Sequence, residues 1–235
     1  MLSWLEQQIF ALNRVEFFLA TITSFYFLYF MFTVPAYYFL TTNQKLKKVQ
    51  DKAYRPQQIK QEIKSSIISI LIFGVLSFWM FQGLHSGFFK IKFEFNWTTF
   101  LSESFILFLW NDIHFYISHR ILHIKRFYKY HIDHHYSHVP SPFSAYSFHW
   151  TEGLILGAVM PMIMCVYDFQ FFSLLTLPIV SIFLNVLGHS NIDFFPNKDI
   201  NSLWSFSRRH SLHHKIPHTG FGFFLPYFDR LFGTN

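Results

Sequence analysis

The chain has 235 residues, a formal net charge of +6, 51% hydrophobic residues, 14% charged residues and 34 phenylalanines. An ordinary soluble domain carries about 25% charged residues, so a chain of this length and apolarity is one domain that does not live in water. Disordered, collagen-like and disulfide-stapled scaffolds are excluded too: the single cysteine, Cys165, has no partner and reads as a small core residue in an apolar run.

A membrane-crossing helix needs about 20 mostly apolar residues. Residues 15–40 meet that requirement, with a kink expected at Pro35. The stretch before them lacks a basic n-region and a small-residue cleavage site, so no cleaved signal peptide is expected. Residues 41–64 form a basic loop that reads as a solvated stretch beside anionic headgroups. Residues 65–82 are a second apolar segment, and residues 98–118 a third, which carries Asn111, Asp112 and His114. Residues 153–167 and 171–187, joined by Asp168-Phe169-Gln170, read as a helical hairpin that crosses incompletely or through a thinned bilayer.

Basic residues concentrate on the side of a membrane that faces the cytoplasm. With the N-terminus outside and five crossings, the inner loops are 41–64, 119–152 and 188–235, and they hold sixteen of the nineteen Lys and Arg residues. Arg14, Lys90 and Lys92 remain outside. The expected fold class is therefore all-α: a multi-pass integral membrane helical bundle with its histidines on the cytoplasmic face. Residues 1–97 supply N-terminal helices and the basic loop, and residues 98–235 the chemistry, in one integrated domain. Nucleic-acid binding is not expected, because topology accounts for the basic residues.

Thirteen of the fourteen histidines lie between His114 and His218. Three groups have helical spacing: His119 and His123; His131, His134 and His135; His210, His213 and His214. Residues at i, i+3 and i+4 share a helix face, so each group offers two or three imidazoles to one point. Imidazole suits zinc, copper, iron and nickel, whereas magnesium, calcium and manganese want oxygen. Eight imidazoles are too many for one ion. His189, at the end of the fifth apolar segment, is the natural ninth ligand. Asp112 lies seven residues before His119 and shares its face within about 20°. An ionisable group that deep in an apolar span has a functional role by default, here to accept the free N–H of a metal-bound imidazole. His114, rotated about 500° from His119, points away from that face. His85 reads as an ordinary core or surface residue. His138, His149 and His218 stay open between supporting and surface roles, and Phe221-Gly222-Phe223-Phe224 reads as a membrane-interface anchor.

From Asp112 to Thr234 the chain resembles the fatty acid hydroxylase and sterol desaturase superfamily. Asp112-x-x-x-Tyr116-x-x-His119-Arg120-x-x-His123 resembles that group's first histidine box. It is followed by His131-x-x-His134-His135, His149-x-x-Glu152 (with Trp150 where the group has Pro) and His210-x-x-His213-His214. The last motif is Phe228-Asp229-x-x-Phe232-Gly233-Thr234, with Phe228 in place of Trp. An Asn-Tyr-Gly segment usual after the last box is here Gly220-Phe221-Gly222.

The resemblance implies two non-haem iron ions held by the nine histidines. It also implies activation of dioxygen and attack on an unactivated C–H bond of a lipid: a sterol, a fatty acyl lipid, or alternatively a carotenoid or ether lipid. A dry cavity contains such an oxidant. Two electrons must come from a separate protein, cytochrome b5-like or a ferredoxin, docked on the basic inner face. The host membrane would be a bacterial inner membrane or the endoplasmic reticulum. The rival of another class is a membrane metal-binding protein or transporter. It would place polar ligands midway along several spans, whereas these histidines gather at one interface.

Overall fold

The computed structural model describes residues 2–43 and 45–234. Its helices are α1 (Leu2–Ala11), α2 (Arg14–Thr42), α3 (Gln58–His85), α4 (Trp97–Leu122), α5 (Ile132–His135), α6 (Trp150–Gly157), α7 (Val159–Met164), α8 (Phe171–Gly188), α9 (Phe206–Lys215) and α10 (Tyr227–Phe232). Among the described residues there is no strand, only isolated bridges at Lys48–Ile192 and Lys92–Gln170. Three helices, α2, α3 and α8, are long and apolar enough to cross a membrane. The protein is a helical membrane protein. α4 also has 26 residues, and α6 with α7 forms a shorter apolar pair broken at Ala158.

Local chemistry sets the helix ends. The Asn13 side chain accepts from Val15 N and Glu16 N, while Glu16 Oε2 accepts from Asn13 N at 2.8 Å, so α2 opens on a reciprocal cap. α2 then continues through Pro35. Asn96 caps α4 by accepting from Thr99 N at 3.0 Å.

α2 and α3 pack along their length, closely enough that a Cβ on Gly74 would stand 2.4 Å from Ile22. α8 packs against both α2 and α4. The larger core is aromatic: Tyr29, Phe73, Phe143, Tyr146 and Phe148 with Ile70, Ile182 and Val186. A second core of Leu84, Phe89, Leu107, Met164, Phe169, Leu174 and Leu177 lies toward the α3–α4 and α7–α8 links. There Lys92 N donates to Phe169 O and Phe171 N donates to Lys92 O, each at 2.9 Å. Phe27, Tyr38, Val75, Leu101 and Phe105 stay exposed, as apolar residues in contact with lipid tails do. Cys165 is not in the core: it is exposed at the end of α7, its thiol donating to Pro161 O. The helix runs out there before the chain can fold back over it.

The four long helices turn at one end into the segments 43–57, 123–149 and 189–234. These segments carry every histidine box except the helical start of the first.

Tyr29 is fully buried, and both its hydroxyl and Ser66 Oγ donate to Phe143 O at 2.9 Å. Tyr29→Phe or Ser66→Ala alone leaves that carbonyl one donor and should cost about 1 kcal/mol. The double variant strands a buried carbonyl and should cost more than the sum. Denaturation of the four proteins in detergent closes the cycle, and strict additivity would refute the shared acceptor.

Candidate metal centre

The eight histidines expected from spacing and His189, expected from its place at the end of the fifth segment, collect into two adjoining groups: His119, His123, His131, His135 and His213 in one, His134, His189, His210 and His214 in the other. Within each group the candidate ligand atoms lie within 4.8 Å of one another. The spacing explains the division. In His131-x-x-His134-His135 the i and i+4 rings serve the first group, and His134, one residue earlier than His135 and so turned about 100°, serves the second. In His210-x-x-His213-His214 the assignment is reversed: His210 and His214 serve the second group and His213 the first. The second and third boxes thus bridge both groups, while His119 and His123 of the first box both serve the first group. The centroids of the His135 and His214 rings are 5.0 Å apart across the junction.

The outer nitrogens are held by the fold. His119 Nδ1 donates to Phe221 O, His189 Nδ1 to Asn185 O and His213 Nδ1 to Thr219 O, each at 2.8 Å, and His134 Nδ1 to Ser147 O at 3.3 Å. His131 Nδ1 meets Glu152 Oε1 at 2.7 Å, with both side chains buried. A proton on Nδ1 leaves Nε2 a lone pair, and the Nε2 atoms face one another. His123 Nε2 lies 3.1 Å from that of His119, 3.1 Å from that of His213 and 3.2 Å from that of His135. In the second group His210 Nε2 lies 2.9 Å from His189 Nε2 and 3.1 Å from His214 Nε2. One proton on His123 can serve only one of its three neighbours, so lone pair faces lone pair.

A cation between them removes that conflict. With metal–nitrogen bonds of about 2.1 Å, neighbouring donors stand about 3.0 Å apart on an octahedron and about 3.4 Å apart on a tetrahedron. The observed spacings, from 2.9 Å for His189–His210 to 3.3 Å for His134–His189, span those values. The residues present therefore fit imidazole-bound metal in both groups.

Burial, reinforced by neighbouring imidazoles, holds His131, His134, His135, His210 and His214 below the ordinary imidazole range. Burial also pushes His213 down to about 4, against the raising effect of its Thr219 carbonyl. All are neutral at pH 7, the state a metal requires.

Asp112 is fully buried but does not touch an imidazole. Its carboxylate accepts from Phe224 N at 3.0 Å and Leu225 N at 3.3 Å. The expected partner is wrong because seven helix residues rise about 10.5 Å, and the returning 221–225 loop fills that space. Glu152 makes the carboxylate–imidazole contact expected of Asp112. Asp229 grips the same loop from the other side, accepting from Phe221 N at 2.9 Å and Gly222 N at 2.8 Å. The first and last sequence motifs are thus partners: Tyr116 reaches Thr234 at 3.2 Å and stacks on Phe228 and Phe232.

The 221–224 aromatic stretch is not a membrane anchor. Phe223 is buried, its ring centroid 4.4 Å from that of His210 and 5.7 Å from that of His189. The Asp112 and Asp229 bonds turn this stretch inward onto the centre. Gly188 lets it in, since a Cβ there would stand 2.3 Å from Phe223.

Glu62 was hidden in the basic loop. It is buried and accepts from Gln58 Nε2, Ser137 Oγ and Ser141 Oγ, fixing the chain after the second box. Gln50 does the same across boxes, donating to His138 O at 2.7 Å and Ser211 O at 2.9 Å. A lone Glu heading an apolar run was the available signal for Glu62, and Gln50 had none. His85, His114, His138, His149 and His218 join neither group. His149 caps α6 by accepting from Thr151 N at 3.2 Å. His138 and His218 are exposed, as is His85.

An apolar cavity of about 430 Å³ runs among α2, α3, α4, α6, α7 and α8. Phe115, Phe148 and Phe223 form the part of its wall nearest the histidines, with ring centroids 4.9 Å from His119, 5.2 Å from His134 and 4.4 Å from His210 respectively.

Residues 104–234, more than half the chain, match the family described as Fatty acid hydroxylase. The chain belongs to that family. It is 31% identical over 132 residues to a Delta(7)-sterol 5(6)-desaturase of Aspergillus fumigatus, covering 54% of this chain and 40% of the relative. A Delta(7)-sterol 5(6)-desaturase of Gibberella zeae is 25% identical over 213 residues, covering 89% of this chain and 65% of the relative. Human lathosterol oxidase is 27% identical over 241 residues, covering 99% and 78%. The chain therefore spans less than two thirds of the length of the two fungal relatives. No solved structure matches it.

The depressed histidines set an acid limit on the metal-free protein. Each stays neutral when folded but takes a proton near 6.5 when unfolded. Their stabilising contribution is complete above pH 6.5 and is lost as pH falls toward the folded values. Thermal unfolding of chelator-treated protein in detergent should be level above pH 7 and fall steeply from 6.5 to 4. A flat midpoint across that window would contradict neutral burial.

Proposed function

We propose that the chain is a membrane-bound non-haem di-iron oxygenase that hydroxylates or desaturates a C–H bond of a lipid, using dioxygen and two electrons from a separate protein. The observation that carries this reading is the pair of imidazole groups with inward lone pairs, adjoining an apolar cavity. His119, His123, His131, His135 and His213 hold one iron, and His134, His189, His210 and His214 the other. Bound iron supplies the activation of dioxygen.

The protein supplies the rest. The apolar cavity takes the lipid chain from the bilayer and keeps water from it. Phe115, Phe148 and Phe223 shape its inner end. The carbonyls of Phe221, Asn185, Thr219 and Ser147 keep five-membered rings from turning, and Glu152 raises the basicity of His131. Asp112 acts through the 224–225 backbone rather than through a ring. Hydroxylation consumes O2, two electrons and two protons and releases one water, and the electrons are drawn from a redox protein docked beside the centre. The exposed Lys125, Arg126, Lys129 and Lys215 follow the boxes closely and suit an acidic partner, cytochrome b5-like or a ferredoxin. The sterol-desaturating and sterol-oxidising names of the relatives support a sterol or comparable lipid as substrate.

Protein purified anaerobically from iron-replete cells should carry two irons per chain. His134→Ala and His213→Ala, one from each group, should lose iron and activity, while His85→Ala should keep both. One zinc and no iron in the wild type, or equal losses at all three positions, would overturn the assignment.

The basic-residue bias supports five crossings with the histidines on the cytoplasmic side. Single cysteines introduced at His138 and Lys215 in a Cys165→Ser background should label from the cytoplasm, and one at Lys90 from the opposite side. Labelling of His138 and Lys90 positions from one side would break that topology.

A further inference from the structure

One histidine remains outside both imidazole groups yet is buried. His114, 7% exposed, lies on α4 five residues before His119, which is about 7.5 Å of helix rise. It lines the apolar cavity, and none of the hydrogen bonds among the described residues involves its ring nitrogens. Asn111, three residues earlier and so on the same helix face, also lines the cavity. Its carbonyl oxygen meets Ser181 Oγ only at 3.5 Å, and its amide nitrogen has no partner among the described residues.

The other polar groups on this wall are mostly occupied. Thr21 and Ser77 donate to carbonyls of their own helices, and Asn185 donates to Ser181 O. Nearby Trp110 donates to Val159 O. Tyr146 also has a hydroxyl without a partner, but its ring is packed among Tyr29, Phe73 and Phe148. Leaving a buried polar group unpaired costs free energy, and an ionisable ring at membrane depth marks a functional position by default.

Resting on the reading that this cavity takes a lipid, we propose that His114 and Asn111 form a polar anchor that hydrogen-bonds a hydroxyl group of the substrate. Imidazole and carboxamide each offer both a donor and an acceptor, the complement of a hydroxyl. With the hydroxyl held one to two helix turns from the first imidazole of the centre, the lipid is fixed in register, and the carbon that reaches the inner wall is set by its distance from that oxygen. The anchor is a specificity determinant and makes no contact with the metal ligands' nitrogens.

The test uses full-length, iron-loaded protein in detergent with a diazirine-bearing hexadecanol as photoprobe, and reads adducts on peptides from the cavity wall. Displacement by 1-hexadecanol should need about tenfold less competitor than displacement by hexadecane, the worth of one good hydrogen bond. His114→Phe and Asn111→Leu should bring the two competitors to parity, and His114→Gln should retain most of the preference, all with wild-type iron content. Parity in the wild type, or a preference that survives both substitutions, overturns the anchor while leaving the lipid cavity intact. A preference lost only in Tyr146→Phe also overturns it, by placing the oxygen elsewhere. Failure of both competitors to displace the probe overturns the lipid cavity and the anchor together.

Discussion

Nine imidazoles with their bare nitrogens turned toward one another is an arrangement that repels itself. Side-chain packing alone would rotate the rings until each lone pair found a proton. What prevents this is the opposite nitrogen of each ring: five of the nine are tied outward, four to backbone carbonyls and one to the Glu152 carboxylate. Those acceptors come from three stretches of the chain, at 147–152, 185 and 219–221. The constraint on the fold is therefore to deliver fixed oxygen atoms behind the histidines while keeping water out of the space in front of them. His135, His210 and His214 lack such a partner on Nδ1 and are held instead by the i+4 rings of their own boxes and by their neighbours.

Most features that look peripheral serve that delivery. Asp112 and Asp229 bind no imidazole, yet between them they hold four of the five amides of the 221–225 loop, at Phe221, Gly222, Phe224 and Leu225. The same loop presents the Phe221 carbonyl to His119 and the Phe223 ring to His210. A buried carboxylate is costly unless it is hydrogen-bonded; backbone amides serve Asp112, and two amides with the Thr234 hydroxyl serve Asp229. Arg209, donating to Phe224 O at 2.7 Å, offsets part of the charge. Glu62 and Gln50 do the equivalent work for the second box and the link to the third. They make the basic loop part of the site's frame rather than a solvated tether.

The apolar segments and the histidine boxes were legible in the sequence because each depends on local periodicity. Helices overlie all five apolar segments, and the nine histidines put forward, eight by helical spacing and His189 by its place at the end of the fifth segment, lie in two groups. Their sorting into five and four was not legible. It depends on two short helices, α5 and α9, meeting with opposite assignments of their middle rings, which is a property of tertiary packing. The partner of Asp112 was misread for a related reason. Shared helix face was treated as contact, but a face extends along the axis, and the residue that fills it came from the other end of the chain. Phe223 was misread because aromatic composition at a membrane boundary carries no information on whether a strand of loop turns out or in. Gly188 shows that it turns in, but only once its neighbour is known.

The arrangement also separates two solvents. On one side the imidazole groups sit in a polar frame of serines, carboxylates and carbonyls. On the other, the cavity among the long helices is lined almost wholly by aliphatic and aromatic groups. Only the thickness of a phenyl ring divides them at Phe148 and Phe223. A metal site placed deeper would have to bury its polar frame in hydrocarbon, where each unsatisfied group costs several kcal/mol. A site placed further out would lose contact with an apolar substrate. Putting the boxes at the ends of α4 and α8, where the backbone leaves the helix and its carbonyls become available, meets both demands with the same few residues.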